Sequence, residues 1–125
     1  MSKVQEVHEL VARGEARPDL TQPSIRGLAW LLRHREHWPV DFEWYYGSCL
    51  TCAMGLAIRL WHIPVNLSSF HPYGTSVGKA LGLPWEAASH IFYGARPPEG
   101  PTREVSPEDV AQAIDDYLLR REKQA

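Results

Sequence analysis

The sequence predicts an all-α, single-domain bundle of about five or six helices, and three observations carry that expectation. The first is the stretch Cys49 to Trp61, CLTCAMGLAIRLW, in which only Thr51, Gly55 and Arg59 fall on a polar strip at helical spacing. A helix apolar almost all round is a buried one, and thirteen residues are too few to span a bilayer, so other helices of the same chain must surround it. The second is that apolar residues recur at i, i+3 and i+4 on both sides of this central helix. The third is that Val40 to Tyr46, VDFEWYY, is the one stretch whose apolar and acidic residues alternate with the period of a strand, and it has no obvious second segment to pair with.

Taken in order, Val4, Val7, Leu10 and Val11 make the stripe of a short first helix between Ser2 and Gly14. Pro18 and Pro23 break the next segment, and a second helix starts near Pro23 or Ser24, buries Ile25, Leu28, Ala29, Leu31 and Leu32, and ends before Trp38-Pro39. Val40 to Tyr46 is then an extended loop laying rings over the core. Gly47 and Ser48 supply a turn and an N-cap for the central helix, which Pro64 terminates. Residues 62 to 74 read as a loop with apolar pins at Val65, Leu67 and Phe70. Thr75 caps a short helix through Leu81 that Gly82 ends, and Pro84 in a first-turn position opens another, WEAASHIFY, closed by Gly94. After the Pro-rich run ARPPEGPTRE, Ser106-Pro107-Glu108-Asp109 caps a last helix whose buried stripe is Val110, Ile114, Tyr117 and Leu118.

Composition narrows the function classes. A chain of 125 residues suffices for one core, and five Trp, five Tyr and three Phe furnish it with bulk. A formal net charge of −2 gives no global attraction to phosphate backbones or anionic lipid, so neither nucleic acid nor a membrane is the expected partner. MSKVQEVHEL lacks the apolar core of a signal peptide, which makes the cytoplasm the expected compartment. Cys49 and Cys52, three apart, are not a secreted disulfide framework.

Four constellations could carry chemistry. Cys49-x-x-Cys52 at a helix start suits a thiol redox pair, since the helix dipole lowers a thiol pKa, although no strand feeds this helix as in a thioredoxin-like unit. Gly47-Ser48-Cys49 resembles the surroundings of a papain-like catalytic cysteine, with His62, His71 and His90 downstream as bases. It departs from that pattern in having Leu50 where the family has an aromatic residue, and in having too little chain after it for the family's histidine. In a cysteine enzyme of either kind, Cys49, Cys52, His62 and His90 are the candidates. His34-x-x-His37 with Cys49 and Cys52 offers two nitrogens and two sulfurs to zinc, in an order and spacing unlike a zinc finger. Thr75 to Phe92 follows the small-and-apolar pattern of a helix-turn-helix, but its second helix presents Trp85, Glu86, Ser89 and His90, an acidic and apolar face that reads DNA poorly.

The aromatic residues beside loops supply a further expectation. Trp38, Trp44, Tyr46, Tyr73, Trp85 and Tyr93 are candidate anchors of a protein interface, because Trp and Tyr dominate binding energy where they stand partly exposed.

Three pieces of the chain, Cys52-Ala53-Met54-Gly55-Leu56-Ala57, Leu81-Gly82-Leu83 with Glu86-Ala87 before Ile91-Phe92, and Ser106-Pro107-Glu108-Asp109-Val110-Ala111, resemble small all-helical domains of unknown function found in bacteria and their phages. That resemblance implies an α-helical fold and no activity. The expected function is therefore a non-enzymatic module of phage origin that binds another protein or self-assembles without a cofactor. The cysteine enzyme or zinc domain is the alternative, and the helix-turn-helix DNA reader the second.

Overall fold

The computed structural model describes residues 17–46, 51–94 and 104–124, and the first helix expected from the sequence lies outside them. Five α-helices run in chain order: α1 (Ile25–Leu32), α2 (Ala53–Trp61), α3 (Pro72–Ala80), α4 (Trp85–Tyr93) and α5 (Pro107–Gln124), with a 3₁₀ turn at Arg35–His37. No strand occurs among the described residues, so the chain is an all-α bundle. No helix among them is long and apolar enough to cross a membrane.

The ends of α1 and α5 form as their local chemistry dictates. Ser24 is extended and its Oγ accepts from Gly27 N at 2.9 Å, satisfying an amide that the first turn of α1 leaves open. At α5, Ser106 Oγ accepts from Asp109 N at 3.2 Å while the Asp109 carboxylate accepts from Ser106 N at 2.8 Å, a reciprocal box in which aspartate does the work usually given to glutamate. All five residues of the α1 stripe are buried, as are Val110, Ile114 and Leu118 of α5; Tyr117 is half-buried. These two stripes face one another, and α1 against α5 is the most extensive helix pairing of the bundle.

The central helix begins later than the sequence suggests, at Ala53 with Cys52 as its extended N-cap, instead of at Cys49. The cause is Thr51, whose carbonyl accepts from Tyr45 N and whose hydroxyl donates to Tyr45 O, both at 3.0 Å. This exchange pins Thr51 to the extended aromatic segment and withholds it from the helix. Ala53 to Ala57 are buried as expected, but Ile58, Leu60 and Trp61 are only partly so. The middle of the bundle is shared with α1, which is buried at seven of its eight positions.

α3 also departs from its expected start. It begins at Pro72, within the stretch assigned to a loop, because proline at the first helical position supplies the right φ and has no amide to leave unpaired. Pro84 is the N-cap of α4 and stands one place outside the helix. Between α3 and α4, Gly82 adopts φ +71°, Leu83 N donates to Gly78 O at 2.8 Å, and Gly82 N donates to Lys79 O at 3.1 Å. This double closure satisfies the last carbonyls of α3 and turns the chain back along itself. A Cβ at Gly82 would meet nothing within 4 Å. Gly82→Ala should therefore cost about 1–2 kcal/mol through backbone strain alone, read as a lower urea midpoint at unchanged slope.

The helix pair so formed is tightly packed. A Cβ at Gly78 would lie 3.0 Å from Ala88 Cβ, and one at Gly74 would lie 2.9 Å from the Tyr93 hydroxyl and 3.1 Å from the Trp85 ring. Gly74 and Gly78, one turn apart, let α4 approach the α3 backbone more closely than any larger residue allows.

Candidate functional site: an aromatic-walled groove

The closest approach of α3 and α4 leaves a groove of about 480 Å³ on their outer side. Its floor is Gly74 and Gly78 of α3 with Leu83 and Ala88, its walls are Phe70 and Trp85, and Lys79 stands at its rim. Phe70 is 83 % exposed and Trp85 43 %. Single exposed apolar residues are ordinary on protein surfaces, whereas two aromatic walls around one apolar floor form a contiguous patch.

His71 organises these walls. It holds φ +50°, a left-handed conformation that a non-glycine residue adopts at a cost of about 1–2 kcal/mol. Its ring meets Phe70 edge-on at 4.1 Å, stacks on Trp85 at 5.1 Å and lies 6.1 Å from Tyr93. Ring contacts of this kind offset part of the strain. The strained turn sends Phe70 outward and starts α3 at Pro72 immediately afterwards. Sequence reasoning named Trp85, Tyr73 and Tyr93 as binding residues, and the structure brings Trp85 and Tyr93 into this cluster; Tyr73, on α3, is half-buried. It missed the groove floor, because glycines and an alanine signal only packing, and it missed Lys79.

The other three aromatic candidates do not line this groove. Trp38 Nε1 donates to Leu31 O at 2.6 Å and Trp44 Nε1 to Val105 O at 2.9 Å, so both indoles are committed to backbone carbonyls of neighbouring segments. Tyr46 N donates to Glu104 Oε1 at 3.0 Å. Trp38 meets Phe42 edge-on at 5.4 Å, and Arg35 lies over the Trp38 ring at 5.1 Å. This face fastens the extended segment over the core, as the alternation of Val40 to Tyr46 suggests.

The metal and thiol candidates do not converge among the described residues, where no three His, Cys, Asp or Glu side chains gather as a metal ion would need. His34 stacks on the buried Trp30 at 4.0 Å with its Nδ1 2.6 Å from Trp30 O, and His37 lies 4.9 Å from the same indole. Cys52 is 3 % exposed. It opens α2 while His62 closes it, which separates the two by roughly 15 Å of helix rise, beyond any thiol–imidazole pair. His90 is exposed on α4, and Cys49 lies outside the described residues.

One largely buried ion-pair network ties α1 to α5. Arg33 reaches from the end of α1 to α5, with Nε 2.8 Å from Glu108 and its Nη2 2.8 Å from Asp115. Burial pushes the Asp115 carboxyl above its ordinary range, and the guanidinium pulls the other way. On the surface, Arg59 holds the Asp41 carboxyl below its usual range through a direct hydrogen bond.

α3 and α4 are joined by the Gly82 turn, and Trp85, Glu86 and His90 are the exposed side chains of α4. Comparison of the chain with family models, curated proteins and solved structures finds no match.

Proposed function

We infer that the protein is a binding module whose α3–α4 groove receives an amphipathic helical segment of another protein, one that carries a large apolar anchor and, a turn away, a carboxylate for Lys79. The observation that carries this reading is the exposure of Phe70 and Trp85 beside one apolar floor. The floor of Gly74, Gly78 and Ala88 admits a backbone at close range, and about 480 Å³ suits one or two large side chains. Lys79 forms no ion pair among the described residues, so a carboxylate on the partner would give it one and fix the direction of docking.

The test is selection of 15-residue peptides from a random display library against the wild-type chain. Enriched sequences should place Trp, Phe or Leu one turn from Asp or Glu. Such peptides should bind at least ~30-fold more weakly to Trp85→Ala, since an aromatic hot spot contributes about 2 kcal/mol or more. Phe70→Ala should act in the same direction, with helical circular dichroism unchanged in both variants. Peptides that bind either variant as well as the wild type would refute the groove. A concentration-dependent dimer that Trp85→Ala dissolves would replace the partner with a second copy of this chain.

A further inference from the structure

The arginines around the α3–α4 turn differ from those in the rest of the described residues. Seven arginines lie within the described residues. Four of them are engaged within the chain: Arg17 over Trp30, Arg35 over Trp38, Arg33 with Glu108 and Asp115, and Arg59 with Asp41. The remaining three, Arg26, Arg120 and Arg121, have no carboxylate or ring partner among the described residues, and all three gather around Gly82. Arg120 and Arg121 line a groove of about 440 Å³ with Gly82, Pro84 and Tyr117. Arg121 also borders an adjoining groove of about 610 Å³, whose lining includes Gly82 and Arg26. Arg121 is thus common to both, and three positive charges from the two packed helices α1 and α5 converge on one turn.

We propose that this cluster is a binding site for a small, multiply charged oxyanion of the phosphate type, such as a diphosphate group. Guanidinium forks match phosphate oxygens in pairs, and three of them exceed what a single carboxylate can neutralise. Asp19 is the one carboxylate lining either groove, and its Oδ1 is already occupied by Thr21, accepting from the backbone N at 2.9 Å and from Oγ1 at 2.7 Å. Gly82 contributes no side chain to block the approach. The Arg26 Nε is shielded from water and makes no hydrogen bond, which shows its stem to be held by packing, so little motional freedom remains to be lost on binding. A small ligand fits better than a nucleic-acid strand. A polymer crossing this turn would run past Asp19 in a chain whose net charge is −2, whereas a diphosphate needs only the guanidiniums.

Titration with pyrophosphate at constant ionic strength, followed by calorimetry and backbone amide NMR, tests the site. Saturable one-to-one binding is expected, with shifts centred on Gly82 and the end of α5. Arg121→Ala, a change at an exposed side chain, should weaken binding roughly tenfold or more, and Arg26→Ala with Arg121→Ala should abolish it. Should Arg26→Ala perturb the fold, Arg120→Ala with Arg121→Ala asks the same question from α5 alone. Shifts that do not saturate, or saturable binding that Arg121→Ala leaves unchanged, would overturn the site. A 20-base-pair duplex that bound more tightly than pyrophosphate, through the same arginines, would overturn the small-ligand assignment.

Discussion

Arg33→Ala is expected to destabilise the bundle by about 3–5 kcal/mol, because it leaves the Asp115 carboxylate buried without its cation. The side chains of Arg33 and Asp115 are 14 % and 9 % exposed, so water cannot take over the role of the lost guanidinium. Against a total stability of about 5–15 kcal/mol for a domain of this size, that loss is a large fraction, and it should appear as a lower urea midpoint at unchanged slope. Removing both charges is a different matter. Arg33→Met with Asp115→Leu should recover most of the loss, since a buried pair replaced by apolar groups leaves no orphan. The pH dependence carries a definite sign. With burial holding the Asp115 pKa above its unfolded value, the native state keeps this proton longer than the unfolded chain does, so the carboxyl's contribution to stability falls as pH rises through that window. Loss of the guanidinium widens the window, and the cost of Arg33→Ala should shrink as the pH is lowered until Asp115 is protonated in both states. A cost independent of pH would show that Asp115 is not the group left stranded.

Trp30→Ala should be as damaging, at about 3–5 kcal/mol, since it empties a large volume in the most deeply buried helix. Trp30 is 5 % exposed, and its indole is the platform on which His34 and His37 lie and over which Arg17 sits at 5.7 Å. The imidazole resonances of both histidines should therefore shift in the variant alongside the loss of stability. This also separates the packing role of the pair from the metal role that their spacing suggests. Stoichiometric zinc that stabilised the wild type strongly, and did so through His34 and His37, would reverse the assignment.

How much of this was legible in the sequence follows from the range of the interactions. The stripes of α1 and α5, the Ser24 and Ser106 caps and the Gly82 turn could all be read, because each is set within one or two helical turns. The start of α2 could not. Thr51 is a reasonable helical residue by its neighbours, and only its bonds to Tyr45 remove it from the helix. Arg33 was equally hidden: it falls outside the α1 stripe, and its partner Asp115 lies 82 positions away. Within the candidate groove, Trp85 was legible as an aromatic residue beside a loop. The floor was not, since Gly74, Gly78 and Ala88 acquire meaning only through the crossing of two helices. The arginines around Gly82 come from two distant segments, and nothing in either marks their meeting.

The Arg33 clamp also bears on the order in which the chain assembles. Gly78 and Ala88 meet across 10 residues, whereas Arg33 and Asp115 meet across 82, about three doublings of loop length and so roughly 2 kcal/mol more closure entropy. The α3–α4 hairpin is accordingly expected to form early in refolding, and the α1–α5 seam to close late. A late seam is one whose loss accelerates opening more than it slows closing. Stopped-flow traces of Arg33→Ala should show most of the lost stability in the unfolding rate. The seam, more than the groove, then sets how long a folded molecule lasts.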